Sequence, residues 1–241
     1  MLRLRMMRAP QKYVQGKDSL LQFHKEMTSL GDKWLFICSR SGYKMAHDKI
    51  EKSFEGTSDV RQYEIFGGVS STGEIEKMRE IVRENHLNVV VGVGGGSAID
   101  TAKATAHYEK LPVVIVPTVV ATDAPCTGLS VIYNDDETFN SYLFYPKNPE
   151  AVIVDSAIIA NAPVRFLVAG MGDALGTYFE ARACERTDAP SLESGGITQS
   201  AMALCRLCYD TLKEYGASAK KAGECHVVTP ALEGIIEANV Y

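Results

Sequence analysis

Short β-branched and aromatic runs alternate with segments of helical periodicity through the first part of the chain. Trp34–Cys38 (WLFIC), Gln62–Phe66, Leu87–Val93, Pro112–Val116 (PVVIV) and Ala151–Val154 read as strands of a parallel sheet buried on both faces. Between them, Tyr43–Phe54 is helix-like. Ser71 is placed to cap a further helix with Glu74 at the capping-box position, and Ile75, Met78 and Val82 fall on one face. Ser97–Tyr108 reads as a helix whose Ala98, Ala102 and Ala106 allow close packing on the sheet.

The pattern changes after Val116. A polar loop, Pro117–Gly128, leads to hairpin-like segments at Ser130–Tyr133 and Ser141–Phe144. From Pro163 onward every recognisable element is helical: Pro163–Cys184, Leu192–Tyr215, and Pro230 to the end, with Thr229 as N-cap and Pro230 in the first turn. The expected organisation is an α/β domain over residues 1–160 and an all-helical portion over 161–241.

Composition narrows the class. The 241 residues are 46% hydrophobic and 23% charged, enough to bury a substantial core, and a net charge of −5 argues against a nucleic-acid surface. No apolar run approaches the roughly 18 residues of a membrane span. Met1–Arg8 is basic and Met-rich without the apolar centre of a secretory signal, and reads as the lead-in to an edge strand. Six scattered cysteines fit reduced thiols in a cytoplasm, and Cys205 and Cys208, although a C-x-x-C, lie in a helical pattern with no second pair.

Chemistry concentrates at Leu87–Lys103, LNVVVGVGGGSAIDTAK. A strand delivers the chain into Gly94, Gly95 and Gly96, and an alanine-rich helix follows. Glycines let a ligand approach the backbone, and the N–H groups and dipole of a helix start favour an anion. Ser97 is placed to cap this helix, with Asp100 at the capping-box position. The turn is neither G-x-G-x-x-G nor a P-loop. Its ligand would face the crevice between the carboxyl edge of the sheet and the helical portion.

Gly94–Lys103, GGGSAIDTAK, resembles the iron-containing (group III) alcohol dehydrogenases. Pro117–Tyr133 (PTVVATDAPCTGLSVIY) is similar to the glycerol dehydrogenase form of the family's loop, and Val168–Ala181 (VAGMGDALGTYFEA) to its first metal-ligand helix. With Glu233–Tyr241 (EGIIEANVY), the resemblance extends over essentially the whole chain. It implies a Rossmann-like sheet domain followed by a partial all-helical domain of the dehydroquinate-synthase-like fold. It also implies oxidation of glycerol to dihydroxyacetone with NAD as cofactor, and a divalent metal, zinc rather than iron. By the same resemblance Gly94, Gly95, Gly96 and Ser97 would cradle the pyrophosphate, with Thr118, Thr127, Leu129 and Tyr133 along the rest of the cofactor. Asp123 would meet the hydroxyls of a small polyol, Asp173 would be a metal ligand, and the full-length family implies a homo-oligomer with no membrane or nucleic-acid partner.

Two departures qualify these expectations. Where the resemblance implies an acidic residue on the adenosine ribose, this sequence has Ser39 followed by Arg40, a pair compatible with a 2′-phosphate, so NADP stays open. None of the five histidines, His24, His47, His86, His107 and His226, matches the two that would complete the metal site. The chain is therefore expected to be C-terminally incomplete, to bind dinucleotide weakly without oxidising glycerol, and to be poorly soluble. Two alternatives remain: a truncated non-catalytic nucleotide-binding paralogue, and a related polyol or glycerol-1-phosphate dehydrogenase, for which the sparse basic residues around Arg165, Arg182 and Arg186 offer little phosphate pocket.

Overall fold

The computed structural model describes residues 4–191 and 195–241. Six parallel strands form one sheet in the order β1-β8-β5-β4-β2-β3, where β1 is Lys12–Gly16, β2 Lys33–Cys38, β3 Val60–Ile65, β4 Val89–Gly94, β5 Val113–Pro117 and β8 Ala151–Asp155. β6 (Leu129–Tyr133) and β7 (Phe139–Phe144) make a separate antiparallel hairpin, as the sequence pattern predicts. Central strands β2, β4, β5 and β8 are almost wholly buried, which is why they read as continuous apolar runs. β1 lies on the sheet edge, consistent with the expected edge strand after the N-terminal lead-in.

Helices cover both faces. On one face, α1 (Phe23–Met27) and α2 (Arg40–Ser53) pack Phe23, Met27, Ala46 and Ile50 against Trp34, Phe36, Val91 and Ile153. Phe23, Trp34, Phe36 and Phe54 form an aromatic cluster with ring centroids 5.7–6.5 Å apart. The rings meet edge-on, tilted or offset, geometries that each contribute about 0.5–1.5 kcal/mol per pair beyond area burial.

On the opposite face lie α3 (Thr72–Glu84), α4 (Gly96–Glu109), α5 (Ser156–Asn161), α6 (Val164–Thr187), α7 (Gln199–Glu224) and α8 (Pro230–Val240). Their core is continuous, running from Met78, Ile99 and Ala102 beside Ile115 and Val152 to Leu167, Ala219 and Ile235. α4 sits unusually close to the sheet because Gly92 faces it. A Cβ on Gly92 would stand 2.7 Å from the Cβ of Ala102, so the alanine stripe and the strand glycine together set the helix height.

Several local expectations are corrected. α4 starts at Gly96 with Gly95 as an extended N-cap, so Ser97 lies inside the first turn and caps nothing. The glycine run lets the helix begin earlier than a capping serine would dictate. Ser71 does accept from the Glu74 N–H at 3.2 Å, but the Glu74 carboxylate closes no box and turns instead to the Gly67 N–H at 2.9 Å. The helix predicted from Leu192 begins at Gln199, capped by Thr198, and continues past Gly216 to Glu224. Leu192 itself lies outside the described residues. Gly195–Gly196 runs beside the N-terminal segment instead, with the Gly196 N–H donating to Leu4 O at 2.7 Å. α2 begins three residues earlier than its periodicity suggests, at Arg40, and α5 is an additional short helix capped by Asp155. Thr229 caps α8 as predicted.

Candidate functional site

The carboxyl ends of the central strands finish level. Register pairs Cys38 with Val93 and Gly94 with Pro117, bringing Ser39, the glycine turn and Thr118 side by side. Two backbone bonds fix them, from Ser39 N–H to Val93 O at 2.9 Å and from Thr118 N–H to Gly94 O at 3.0 Å. The strand order reverses between β2 and β4, from which the chain moves outward in opposite directions to β3 and to β5, the position where open α/β sheets bind ligands.

Gly94 turns the chain at φ +155°, and a Cβ there would meet Ser39 Oγ at 2.8 Å and Ala98 Cβ at 2.9 Å. Gly96, in contrast, faces open space with no atom within 4 Å of a would-be Cβ. No side chain caps α4, and the Ile99 N–H is already bonded to Gly95 O. The earlier N–H groups of that first turn thus remain for a ligand, backed by the helix dipole. This cradle fits the pyrophosphate of a dinucleotide in shape and in charge. Ser39 is partly committed, since its Oγ accepts the Gly42 N–H at 3.0 Å as N-cap of α2, while Arg40 beside it is exposed.

The loop after β5 carries most of the remaining candidates. Thr118 is buried at its start, Thr127 and Leu129 lie at its end, and Tyr133 stands at the far end of β6 beside Ser71, where the Tyr133 N–H donates to Ser70 O. The loop is held from below by Lys103 of α4. Its ammonium donates to Ala124 O at 3.0 Å and, more closely, to Leu129 O, and pairs with Asp100 at 3.1 Å. Asp100 in turn accepts the Val131 N–H at 3.1 Å. Burial pushes the Lys103 ammonium below the usual lysine range, against the attraction of Asp100.

Asp123 and Asp173 meet across the loop and α6. The Asp123 N–H donates to Asp173 Oδ2 at 3.3 Å, and both residues line a small cavity of about 70 Å³ with Cys205, Cys208 and Asn239. Asp123 also opens into a larger cleft of about 410 Å³ shared with Thr127 and Leu129 and walled by Met6–Pro10, α6 and α7. Its side chain reaches solvent at the mouth but has protein on most sides. That enclosure raises its carboxyl pKa first and the neighbouring Asp173 second, with Lys103 opposing.

Asn239 is a site residue that sequence reasoning missed. It is 2% exposed, and its Nδ2 donates to Val120 O at 3.1 Å and Leu167 O at 3.0 Å, tying the loop to α6. Lys103 was also missed, although a lone lysine inside a run of buried alanines is a signal. Cys205 and Cys208, set aside as helix cysteines, do lie on α7 but reach the same small cavity as the two aspartates. Burial pushes both thiols up.

The metal expectation finds only part of its donor set. Among the described residues no group of three His, Cys, Asp or Glu side chains is placed to hold a metal ion. His226 is bonded to Ala160 O, His24 faces Asp59, His47 faces Asp48, and His107 packs at a tilt against Tyr145. The residues present therefore do not fit a catalytic metal. Among the described residues no helix is long and apolar enough to cross a membrane.

Comparison with known proteins agrees with the fold. A family model described as iron-containing alcohol dehydrogenase matches residues 10–156. Glycerol dehydrogenases of Escherichia coli O6:H1 and Pseudomonas putida are 47% and 45% identical over 237 residues, covering 98% of this chain and 65% of each relative. A probable glycerol dehydrogenase from Sinorhizobium meliloti 1021 superposes with a TM-score of 0.90 at 38% identity, covering 98% of this chain and 64% of that one. Glycerol dehydrogenase from Schizosaccharomyces pombe gives 0.91 at 34%, covering 100% and 62%. The chain thus spans about 65% of the length of these relatives.

Proposed function

The chain belongs to the iron-containing alcohol dehydrogenase family, and from that premise we propose that it binds a nicotinamide dinucleotide on the Gly94–Ser97 turn as part of a glycerol dehydrogenase-type oxidoreductase. The observation that carries this reading is the uncapped start of α4 behind a glycine run whose Gly96 faces open space. Residues 1–160 would act as the dinucleotide-binding portion and 161–241 as the helical wall of the substrate cleft. Assembly into a homo-oligomer belongs to the same reading.

In this arrangement the first-turn N–H groups of α4 hold the pyrophosphate, and Thr118, Thr127, Leu129 and Tyr133 line the cofactor's path toward the Asp123 cleft. Held on the Gly94–Ser97 turn, the dinucleotide would supply the hydride acceptor for the oxidation glycerol + NAD⁺ to dihydroxyacetone + NADH + H⁺, and the hydroxyl proton would leave to solvent. Asp123 is placed to accept a hydrogen bond from a polyol hydroxyl, orienting it at the cleft. Asp173 supplies a single carboxylate, and no step is assigned to a metal.

A second reading is favoured by one observation, the lack of a three-donor metal group among the described residues. On that reading the chain binds dinucleotide without turning over a polyol. The test is a fluorescence titration with NADH, followed by an assay of glycerol-dependent NAD⁺ reduction with added Zn²⁺. Binding with turnover supports the dehydrogenase, binding without turnover supports the second reading, and no binding of NADH overturns both.

A further inference from the structure

Lys103 has no place in the chemistry proposed above, yet it is the most elaborately partnered buried cation in the described structure. It is 3% exposed, two turns into α4. Its ammonium reaches Ala124 O and Leu129 O, stands 3.5 Å from both Thr127 O and Thr127 Oγ1, and pairs with Asp100 on the same helix. Asp100 extends the grip: its carboxylate accepts the Val131 N–H and its backbone carbonyl accepts the Ser130 hydroxyl at 3.2 Å. An unpaired buried ammonium would be driven to deprotonate, so this one is retained by a full set of acceptors.

All those acceptors belong either to α4 or to the segment 124–131. The same helix presents the glycine cradle at its first residues. We infer that Lys103 is a positioning residue which, with Asp100, clamps segment 124–131 to α4 and so fixes the distance between the pyrophosphate cradle and the cofactor- and polyol-facing residues Asp123, Thr127 and Leu129. The clamp rests on geometry alone; its consequence for cofactor binding rests on the dinucleotide reading. A neutral side chain at position 103 frees two or more carbonyls at once; the segment's other ties are the Asn148 Nδ2 bond to Cys126 O at 2.7 Å, the Tyr145 N–H bond to Gly128 O at 2.8 Å, the Tyr145 hydroxyl bond to Ser130 Oγ at 2.8 Å and the pairing of Leu129–Val131 with β7, so residues 124–127 depend most on the clamp. Sites displaced by more than about 0.5 Å lose binding and catalysis even when every contacting residue is present.

Lys103 also lines a separate cavity of about 450 Å³ bounded by His107, Leu111 and Tyr145. Shortening the side chain would open that cavity toward the vacated ammonium position, giving a small amine a route in. The experiment compares wild type with Lys103→Met, Lys103→Ala and Asp100→Asn by backbone hydrogen exchange and NADH titration. In Lys103→Met, amides 122–131 exchange at least about tenfold faster while β2 and β4 keep wild-type protection. NADH affinity falls by roughly fivefold or more. Asp100→Asn accelerates residues 129–131, and propylammonium restores slow exchange and NADH affinity to Lys103→Ala.

Unchanged exchange over 122–131, or equal acceleration through the central strands, overturns the clamp, as does failure of the amine to restore Lys103→Ala. If the Lys103 variants do not fold, amine acylation of the wild-type chain decides. Lys103 labels far more slowly than Lys110 if the clamp is formed, and labelling at the Lys110 rate overturns it. Wild-type protein that binds no NADH removes the dinucleotide reading, while the exchange and labelling results still judge the clamp.

Discussion

Asn239 reaches the Val120 carbonyl only because Gly170 has no side chain. A Cβ at Gly170 would lie 2.0 Å from Val120 O and 2.5 Å from Asn239 Nδ2, so the last helix, the loop and α6 meet at a point where one carbon does not fit. Gly170→Ala should therefore force α6 away from the loop and lower stability by about 1–3 kcal/mol. Asn239→Leu removes the donor from two buried carbonyls and should cost about 1–3 kcal/mol for each one left unpaired. Urea unfolding midpoints measure both, and a wild-type midpoint for Gly170→Ala would contradict the contact.

Gly94 and Gly96 should separate folding from binding. Gly94→Ala places a side chain at φ +155° against Ser39 and Ala98 and should lower the thermal midpoint by several degrees. Gly96→Ala meets open space inside a helix and should leave stability unchanged or raise it by about 0.5–1 kcal/mol. It should nonetheless weaken NADH binding about tenfold or more, because the added methyl occupies the cradle. Loss of stability without loss of binding in Gly96→Ala would place the anion site elsewhere.

The end of β2 sets the expected choice of dinucleotide. Ser39 abuts the glycine turn and Arg40 is exposed beside it, with no carboxylate in the first turn of α2 to repel a 2′-phosphate. NADPH should bind within about tenfold of NADH, a gap of 1.4 kcal/mol or less. Ser39→Asp should widen that ratio in favour of NADH, and Arg40→Ala should weaken NADPH selectively. Parallel titrations of the two reduced cofactors decide, and a wild-type chain blind to NADPH would reject the assignment.

Alkaline pH should unfold the protein earlier than its composition suggests. Burial pushes the thiols of Cys38 and Cys126 up to about 12, and the phenols of Tyr13, Tyr63 and Tyr145 well above the ordinary tyrosine range. These groups stay protonated in the folded chain while the unfolded chain ionises from about pH 9. The folded state then holds more protons, so stability is complete below pH 9 and is lost as pH rises toward 12. Lys103, whose pKa is lowered, works in the opposite direction and is outnumbered. Chemical denaturation at pH 8, 9, 10 and 11 measures the slope, and stability that rises over that interval would be inconsistent with these burials.

Much of this was legible in sequence because apolar periodicity reports burial. Strands such as Trp34–Cys38 and Leu87–Val93 are buried on both faces, and nothing but a parallel sheet uses such runs in alternation with helices. Helix starts were less legible. Ser97 has the right chemistry for a cap, but the preceding glycines allow the helix to begin before it. Contacts between remote segments were not legible at all. Nothing local says that Asn239 serves Val120, or that Lys103 reaches Ala124 and Leu129, since each bond joins residues more than 20 positions apart. Glu74 shows the same limit at short range, its carboxylate taken by Gly67 instead of its own helix start.

The contact between Gly92 and Ala102 has a consequence for how this scaffold can change. Both residues lie beneath the glycine turn, one in β4 and one in α4, and neither faces the cleft. An added methylene at either would lift α4 from the sheet, and because the cradle is the end of that helix, the lift would appear there as a tilt. Substitutions in the loop can alter which molecule is bound while the helix stays seated. A tight mechanical tolerance of the proposed nucleotide site thus belongs to two small residues that no nucleotide would touch.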